Sequence, residues 1–258
     1  MIKITALASG SNGNCYYFAT KNEAVLVDVG ISCKQVLLRM EKLGLDITLV
    51  KGILVTHEHS DHIRGIEVLS RKFNVPVYIT KRTFENSGLH IQEHLLKLID
   101  RGDELKIGEI DIMPFCKNHD AAEPCSYALH YSGRKVCVMT DIGKKCDNVV
   151  NHIGDCDAVF LESNYDDVML EEGGYPIYLK RRIAGDNGHL SNYQAALLIL
   201  EHATPKLKHV FLSHLSGNNN TPDLAYGTFT NIVKERKDLK LNVIKTSREQ
   251  ETGVVTLK

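Results

Sequence analysis

The chain has 258 residues, with 31 Lys and Arg against 32 Asp and Glu, so its formal net charge is −1. This balance excludes a global positive field, and a nucleic-acid partner would therefore need a local basic patch. The length and the 43% hydrophobic fraction indicate one large globular domain over residues 1–258, with no need of disulfide support.

The cysteines and the N-terminus bear on the compartment. The seven cysteines form no C-x-x-C pair, and several lie in apolar runs, which predicts buried free thiols in a reducing environment. The first apolar stretch is too short for a signal peptide, and no run approaches the roughly 20 apolar residues of a membrane helix. We expect a cytoplasmic protein with no membrane partner.

The predicted elements of the first half begin with strands. Three short apolar runs predict strands: "KITALA", "CYYFAT" and "AVLVDVG". The segment "CKQVLLRMEKLG" has helical periodicity and ends at Gly44, a typical residue after a helix. A buried strand, "KGILVT", precedes a helical pattern in "IRGIEVLSRKF" and a further strand, "VPVYIT". Residues 83–98 are predicted to be helical.

The second half has a similar order. Two hairpins are predicted, one turning at Gly108 and one at Ser132 and Gly133. Two apolar strands that run into polar residues follow: "CDAVFLESNYD" and "LKHVFLSHLSGNNN". The helix "NYQAALLILEHA" lies between them, and a helix capped by Thr221 precedes two final strands, "LNVIKT" and "GVVTLK". Two similar halves predict an α+β fold in which two mixed sheets pack face to face with helices outside.

Residues of metal-ligating type follow apolar runs at several points. They are Asp28, His57, His119, Asp141, Glu162 and His214. Six such strand ends predict one site along the rim of the two sheets.

The segment "THEHSDH" places four ligand-type residues within six positions, 57–62. His57 and His59 can point the same way along an extended chain and bind one metal ion at about 2.0–2.1 Å. Asp61 and His62 follow after the chain turns and can reach a second ion. Imidazoles with carboxylates suit Zn, Mn or Fe rather than Ca or Mg. Two such ions would hold a bridging hydroxide.

The first ion needs a third protein ligand, and the polar loop "CKNHDAAEP" offers His119. Asp141 is the candidate carboxylate between the two ions, because it would lower their repulsion. Its alternative is a turn aspartate before Gly143, and the alternative for His214 is an ordinary loop residue.

Two segments are candidates for phosphate binding. The loop "SGSNGN" at 9–14 could hold an anion through its backbone N–H groups, or be a plain hairpin turn. Its candidate contacts are Ser11, Asn12 and Asn14. The run "LKRRI" could bind phosphate oxygens or be a solvated face. Its candidate contacts are Lys180, Arg181 and Arg182.

The segment "THEHSDH" resembles the H-x-H-x-D-H signature of the metallo-β-lactamase superfamily, whose fold is an αββα sandwich. The later candidate residues also follow the order of that family. The resemblance implies one metal site with His57, His59 and His119, and a second with Asp61, His62 and His214. It further implies that Asp141 bridges the two ions and that Asp28 orients the cluster.

Three segments narrow the resemblance: "LASGSNGNCYY", "GHLSN" and "LSHLSGNNNTP" are similar to those of the YycJ/WalJ type. This type implies a metal-dependent phosphodiesterase with 5′-exonuclease activity on double-stranded DNA. The segment "GHLSNYQAA" also resembles tRNA 3′-processing endonucleases, which implies that His189 assists the leaving group and that Glu162 orients it. The alternative is that His189 only precedes Ser191, the predicted cap of a helix.

The leading hypothesis is a nuclease that hydrolyses DNA phosphodiesters with a hydroxide held by two divalent ions. An alternative is a hydrolase of small thioesters, lactones or β-lactams, which would need neither Arg181 nor Arg182. A redox di-iron protein is a further alternative, and the intact His59 argues against it. The last alternative is a nucleic-acid-binding module without turnover.

Overall fold

The computed structural model describes all residues, 1–258. Fourteen strands form two sheets of seven strands each. The first sheet contains β1 (Ile2–Ala8), β2 (Cys15–Ala19), β3 (Ala24–Val27), β4 (Val50–Leu54), β5 (Val77–Thr80), β6 (Leu96–Ile99) and β14 (Val255–Leu257). The second sheet contains β7 (Leu105–Ile107), β8 (Ile110–Cys116), β9 (Cys125–Tyr131), β10 (Arg134–Met139), β11 (Ala158–Glu162), β12 (His209–Ser213) and β13 (Asn242–Lys245).

Both sheets are mixed. The order in the first is β14-β1-β2-β3-β4-β5-β6, and the strands from β3 to β6 are parallel. The order in the second is β13-β12-β11-β10-β9-β8-β7, and the strands from β10 to β13 are parallel. The remaining neighbours are antiparallel.

Nine helices accompany the sheets, and none of them is long and apolar enough to cross a bilayer. They are α1 (Cys33–Lys42), α2 (Ser60–Ile63), α3 (Ile66–Phe73), α4 (Lys81–Ser87), α5 (Asp147–Gly154), α6 (Asp167–Glu172), α7 (Ile177–Ile183), α8 (Asn192–His202) and α9 (Pro222–Val233).

Three apolar clusters separate four layers of structure. The cluster between the sheets contains large side chains from both, including Phe18, Tyr127, Phe160 and Phe211. A second cluster packs α1 and α3 on the outer face of the first sheet. A third packs α5, α8 and α9 on the outer face of the second sheet. This is the predicted αββα sandwich, in which each sheet buries both faces and therefore reads as continuous apolar runs.

Most predicted turns and caps are present. Gly44 follows α1 with a positive φ of 63°. Ser132 and Gly133 form the turn between β9 and β10 with φ values of 49° and 74°. Positive φ at both central positions is the requirement of a tight two-residue hairpin. All seven cysteines are free, and five of them are buried.

The predicted helix over residues 83–98 is wrong. The helix α4 ends at Ser87, and Gly88 follows in the left-handed conformation with φ 66°. The chain then forms a short 3-10 turn and enters β6, which pairs with β5. Apolar residues in this segment thus have two possible periods, and pairing with a neighbouring strand selects the strand.

The segment "IRGIEVLSRKF" also differs from a single helix, because Gly65 separates α2 from α3. A Cβ atom at Gly65 would lie 2.1 Å from the carbonyl oxygen of Ile31, so only glycine fits this close approach.

Candidate metal centre and active site

The polar strand ends meet at one edge of the two sheets. The strand β3 runs parallel to β4, and β10 runs parallel to β11 and β12. The strand β8 runs in the same direction as β10, since both are antiparallel to β9. The carboxyl ends of these six strands lead into the side chains that form the cluster described below: Asp28, His57, His119, Asp141, Glu162 and His214.

Three histidines form the first group of the cluster. The Nε2 atom of His57 lies 3.1 Å from Nδ1 of His59. The Nε2 atom of His119 lies 3.4 Å from the same Nδ1 atom. His57 and His119 are buried, and His59 is partly exposed at the edge of a cavity.

Asp61, His62 and His214 form the second group. The Oδ2 atom of Asp61 lies 3.3 Å from Nε2 of His62 and 3.9 Å from Nε2 of His214. The rings of His62 and His214 are stacked, with centroids 5.5 Å apart. His62 and His214 are buried, whereas Asp61 keeps 18% of its side chain exposed and so faces the cavity.

Asp141 lies between the two groups. Its Oδ1 atom is 3.6 Å from Nε2 of His119. Its Oδ2 atom is 3.2 Å from Nε2 of His62 and 3.0 Å from Nδ1 of His214. Oδ2 of Asp141 and Nδ1 of His214 are buried but form no hydrogen bond. One carboxylate thus reaches the ligating atoms of both groups.

The outer nitrogens of His62 and His119 are occupied, which directs their other nitrogens into the cluster. Nδ1 of His119 lies 3.1 Å from the carbonyl oxygen of Gly188 and must donate to it. Nδ1 of His62 lies 2.7 Å from the Asp28 carboxylate and donates in the same way. The remaining nitrogens are therefore unprotonated when these histidines are neutral, which is the form that ligates a metal.

Asp28 and Thr56 continue this hydrogen-bond network beneath the cluster. Asp28 accepts hydrogen bonds from the backbone N–H and the hydroxyl of Thr56, both at 2.8 Å. Because the Thr56 hydroxyl donates to Asp28, its oxygen accepts from Nδ1 of His57, 2.9 Å away. Asp28 thus sets the tautomer of two histidines, one directly and one through Thr56.

The donor set fits divalent metal ions. Four overlapping groups of three or four side chains each bring their ligand atoms within 4.8 Å of one another. Within these groups, ring nitrogens face each other and face carboxylate oxygens. A cation placed among them would relieve their repulsion and use the buried atoms that lack partners.

Three of the residues have left-handed backbone conformations. The φ angles are 58° for Asp28, 55° for Asp141 and 56° for His214. Each residue directly follows a strand or lies within two residues of its end. This conformation costs a non-glycine residue about 1–3 kcal/mol, and it turns the side chain from the sheet toward the rim.

The charges of the cluster are strongly coupled. Burial opposes a charge on His62, but nearby carboxylates, led by Asp141, outweigh it and raise the pKa of His62 well above its usual range. Burial also opposes ionisation of Asp141, but His214 and His62 hold the pKa of Asp141 well below its usual range. Burial lowers the pKa of His119 to about 2. Asp141 is therefore an anion and His119 is neutral, as metal ligands must be.

Glu162 and His189 form a second arrangement beside the cluster. Nδ1 of His189 lies 2.8 Å from Oε1 of Glu162, and Oε2 of Glu162 accepts from the backbone N–H groups of Ile142 and Leu190. Glu162 is buried, and His189 keeps 22% of its side chain exposed. Burial disfavours a charged imidazole, but the Glu162 carboxylate outweighs it and raises the pKa of His189. His189 lies two residues before Ser191, which caps α8 as predicted.

A cavity of about 170 Å³ opens over this arrangement. All but one of its lining residues, Ile183, are polar, charged or glycine. It is lined by Ser11, His59, Asp61, His119, Asp120, Asp141, Arg182, Ile183, Asn187, Gly188, His189 and His214. A charged substrate can therefore reach Asp61, His189 and Arg182 from one opening. We call it the metal-side cavity.

The residues predicted to bind phosphate are placed differently from one another. Ser11 and Arg182 line the metal-side cavity, and Nε of Arg182 donates to Asp120 at 2.8 Å. Lys180 donates instead to the carbonyl oxygen of Glu171. Arg181 is exposed but does not line the cavity. The helix α7 turns these two residues away, since consecutive residues on a helix point in different directions.

The loop at 9–14 holds the cluster more than it opens to solvent. The side chain of Asn14 is buried, and its Nδ2 atom donates to Asp61 Oδ2 at 3.2 Å. The carbonyl oxygen of Asn12 accepts from Arg64 at 3.4 Å. Asn14 therefore supports a candidate ligand, a role that its position in a Gly/Ser/Asn loop did not indicate. Thr56 was likewise not predicted from the sequence to orient His57, although Thr56 directly precedes the histidines.

The chain belongs to the metallo-β-lactamase superfamily, whose family model matches residues 8–214. Two curated relatives indicate the type of protein within this superfamily. The chain is 40% identical over 243 residues to the exodeoxyribonuclease YycJ of Bacillus anthracis, covering 91% of this chain and 90% of that protein. It is 35% identical over 237 residues to the exodeoxyribonuclease WalJ of Streptococcus pneumoniae, covering 89% and 87%. The predicted family, including the YycJ/WalJ type, is confirmed.

Solved structures show the same fold at low sequence identity. The metallo-β-lactamase fold protein YhfI from Bacillus subtilis has a TM-score of 0.75 and 17% identity, with 98% of each chain covered. The short form of human tRNase Z has a TM-score of 0.65 and 14% identity, with 99% of each chain covered. The predicted αββα sandwich is thereby confirmed.

Proposed function

We propose that residues 1–258 form one catalytic domain that hydrolyses DNA phosphodiesters as a metal-dependent exonuclease. The observation that carries this proposal is the placement of His189. Glu162 holds its Nδ1 atom at 2.8 Å, so the proton of that nitrogen points to the carboxylate. The Nε2 atom is then left to act in the metal-side cavity, beside the metal cluster. The relatives YycJ and WalJ are both named exodeoxyribonucleases, which supports DNA as the substrate.

The residues that would hold the metal are those of the two groups. His57, His59 and His119 would hold one ion, and Asp61, His62 and His214 would hold the other. Asp141 would bridge them, since its two oxygens face both groups. Bound Zn, Mn or Fe ions would supply Lewis-acid stabilisation of phosphoryl oxygens and lower the pKa of water.

The chain's own residues would position the strand and move a proton. His189 would donate a proton to the leaving oxygen, and the Glu162 carboxylate would stabilise the charged imidazole beforehand. Arg182 lies on the wall of the metal-side cavity and would contact a phosphate oxygen. Its bond to Asp120 would have to be exchanged for that contact.

The compartment follows from the same proposal. Seven free cysteines suit a reducing cytoplasm, which is also where bacterial DNA is found. The proposed cytoplasmic location is therefore consistent with the proposed substrate.

The test is degradation of linear duplex DNA labelled at its 5′ or 3′ end, with metal-free protein and Mn or Zn added back. We expect mononucleotide release that requires metal, and the labelled end gives the polarity. Asp61→Ala should reduce the rate by on the order of 100-fold or more, because a candidate ligand facing the cavity is lost.

Asp111→Ala is the matched control, because Asp111 is exposed on β8 and pairs only with Lys106 on the surface. It should retain the wild-type rate. If neither metal supports DNA cleavage while a small thioester or lactone is hydrolysed, the protein is a small-molecule hydrolase and not a nuclease.

A further inference from the structure

A second cavity, of about 320 Å³, lies beside the metal-side cavity. Most of its lining residues are likewise polar or charged. It is lined by Ser9, Leu215, Ser216, Gly217, Asn220, Thr221, Pro222, Thr246, Ser247, Arg248 and Glu249. We call it the Arg248 cavity. None of its lining residues lines the metal-side cavity, so it is a separate site.

Two chain segments join the cavities. Ser9 lines the Arg248 cavity and Ser11 lines the metal-side cavity, and two residues of chain span at most about 7 Å. Leu215 in the Arg248 cavity directly follows His214 of the metal cluster. The hydroxyl of Ser9 also accepts the backbone N–H of His214 at 2.8 Å. Wall residues of the two cavities thus lie within about 7 Å of each other along the chain, a span comparable with one or two nucleotides of a strand.

The guanidinium group of Arg248 has no partner. It forms no ion pair and donates no hydrogen bond, although the residue is half-buried. The side chain lies against Gly10 and Gly217. A Cβ atom at Gly217 would fall 2.2 Å from Nη1 of Arg248, so the guanidinium packs directly on the glycine backbone. A partly buried cation without a counterion favours an anionic ligand.

The backbone around Arg248 is held firmly by a buried arginine. Nη2 of Arg39 donates to the carbonyl oxygens of Arg248 and Glu249 at 3.1 and 2.9 Å. Nη1 of Arg39 donates to the carbonyl oxygen of Leu7 at 2.7 Å. The backbone N–H of Ser9 donates to the carbonyl oxygen of Ser247 at 3.0 Å. The backbone position of Arg248 is therefore set before any ligand binds, which lowers part of the entropy cost of binding.

The rest of the wall suits a phosphate more than an apolar group. Serine and threonine residues line the cavity together with Arg248, and the N-terminus of the twelve-residue helix α9 begins at the cavity with Pro222. The Glu249 carboxylate also lines the cavity and would repel an anion. Glu249 is exposed, however, and forms no ion pair with Arg248.

We infer that the Arg248 cavity binds a phosphate group of the DNA. This phosphate is the neighbour, on the same strand, of the phosphodiester that is hydrolysed at the metal cluster. This inference rests on the proposed function and extends it. Arginine binds phosphate through two parallel N–H···O bonds, so Arg248 would hold the strand in register with His189 and Asp61. The site would thereby favour a polynucleotide over a small ester, which has no neighbouring phosphate.

The first test is DNA binding by metal-free protein, measured by fluorescence anisotropy over a range of salt concentrations. Arg248→Ala should raise Kd about tenfold and reduce the slope of log K against log salt by about 0.7–0.9, the effect of one lost phosphate contact. The Kd and the salt slope of Arg248→Lys should lie between those of Arg248→Ala and those of the wild type. Arg71→Ala removes an exposed charge in the last turn of α3 and should match the wild type.

The second test combines modified DNA substrates with the Arg248→Ala variant and measures kcat/KM for each pair. One substrate lacks the terminal phosphate, and another carries a neutral methylphosphonate at the linkage next to the one cleaved. The wild type should lose about tenfold in kcat/KM on one of these substrates, whereas Arg248→Ala should show no further loss on it. The ratio of kcat/KM for DNA to that for bis(p-nitrophenyl) phosphate should also fall about tenfold in Arg248→Ala.

The outcomes separate this inference from the proposed function. If the wild type hydrolyses DNA and Arg248→Ala matches it in salt dependence and on both modified substrates, the inference is overturned and the nuclease remains. If the wild type does not hydrolyse DNA, the proposed function fails, and the inference fails with it. Thermal unfolding of each variant shows whether a loss of binding or activity comes from misfolding. If Arg248→Ala does not fold, Arg248→Lys is compared with the wild type in its place.

Discussion

At the scale of single residues, the outer contacts of the histidines determine which nitrogen can bind a metal. The Asp28 carboxylate accepts from His62 and from Thr56, and all three groups are buried. Thr56 in turn orients His57. A single carboxylate thus controls one histidine in each group of the cluster, which explains why a residue remote from the "THEHSDH" segment affects its chemistry.

We predict that Asp28→Asn weakens metal binding by about 10–100-fold, because an amide cannot accept all three hydrogen bonds and would leave His62 with the wrong tautomer. Competition with a chelating dye measures the affinity. Asp46→Asn is the control, since Asp46 is exposed and accepts only local hydrogen bonds from Thr48. Equal affinities for Asp28→Asn and the wild type would contradict this role of Asp28.

We predict that Glu162→Gln lowers kcat on DNA by about 10–100-fold with a smaller change in KM, because His189 loses the carboxylate that orients it. Steady-state kinetics measure both constants. The double variant with His189→Ala should be no slower than His189→Ala alone, since the two residues act as one unit. Glu201→Gln, on the surface beside Lys145, is the control. Additive losses in the double variant would show that Glu162 acts independently of His189.

At the scale of elements, two loops and the short helix α2 meet beneath the cluster with almost no free space. The loop after β1 contacts α2 through Asn14, whose backbone N–H donates to the carbonyl oxygen of Asp61 at 2.9 Å. The loop after β3 contacts both, since Gly30 donates to the carbonyl oxygen of Asn14 at 2.7 Å. A Cβ atom at Gly30 would lie 1.6 Å from the Asp61 carbonyl oxygen. The position of Asp61 thus depends on a glycine from another segment.

We predict that Gly30→Ala displaces Asp61, destabilises the protein by about 1–3 kcal/mol and weakens metal binding more than tenfold. Thermal unfolding in chelator and metal titration measure the two effects separately. Gly154→Ala is the matched control, because its nearest contact would be an ordinary 3.6 Å. Unchanged metal binding in a folded Gly30→Ala protein would show that the loops tolerate the shift.

At the scale of the whole molecule, the metal cluster joins the two sheets. Asp28, His57 and His62 lie in segments that follow strands of the first sheet, with His62 in α2. His119, Asp141 and His214 lie in loops that follow strands of the second sheet. Binding of metal at the interface of both halves should therefore stabilise the entire fold and not one loop alone. The apolar cluster between the sheets provides the rest of the contact.

We predict that saturating metal raises Tm by about 5–10 °C over chelator-treated protein, from a linkage of about 2.7 kcal/mol at one hundred times Kd. Differential scanning fluorimetry with graded Zn or Mn measures the shift. Asp141→Asn should reduce the shift, because one carboxylate contacts both groups. A Tm that is independent of metal would contradict binding at this interface.

Much of the architecture was predictable because its signals are local. Gly44, Ser132 and Gly133 mark turns by their conformational freedom, and Thr221 and Ser191 mark helix starts. The segment 83–98 was not predictable, since its apolar residues suit a helix or a strand and only the pairing of β6 with β5 decides.

The sequence by itself determined the αββα layers and the candidate metal ligands. Apolar runs that end in His or Asp specify buried strands and the polar residues at their rim, and both signals lie within a few residues of chain. The tertiary structure alone decided the left-handed turns at Asp141 and His214, the support of Asp61 by Asn14, and the free guanidinium of Arg248. These features arise where segments remote in sequence come into contact, and no local pattern of residues encodes such a contact.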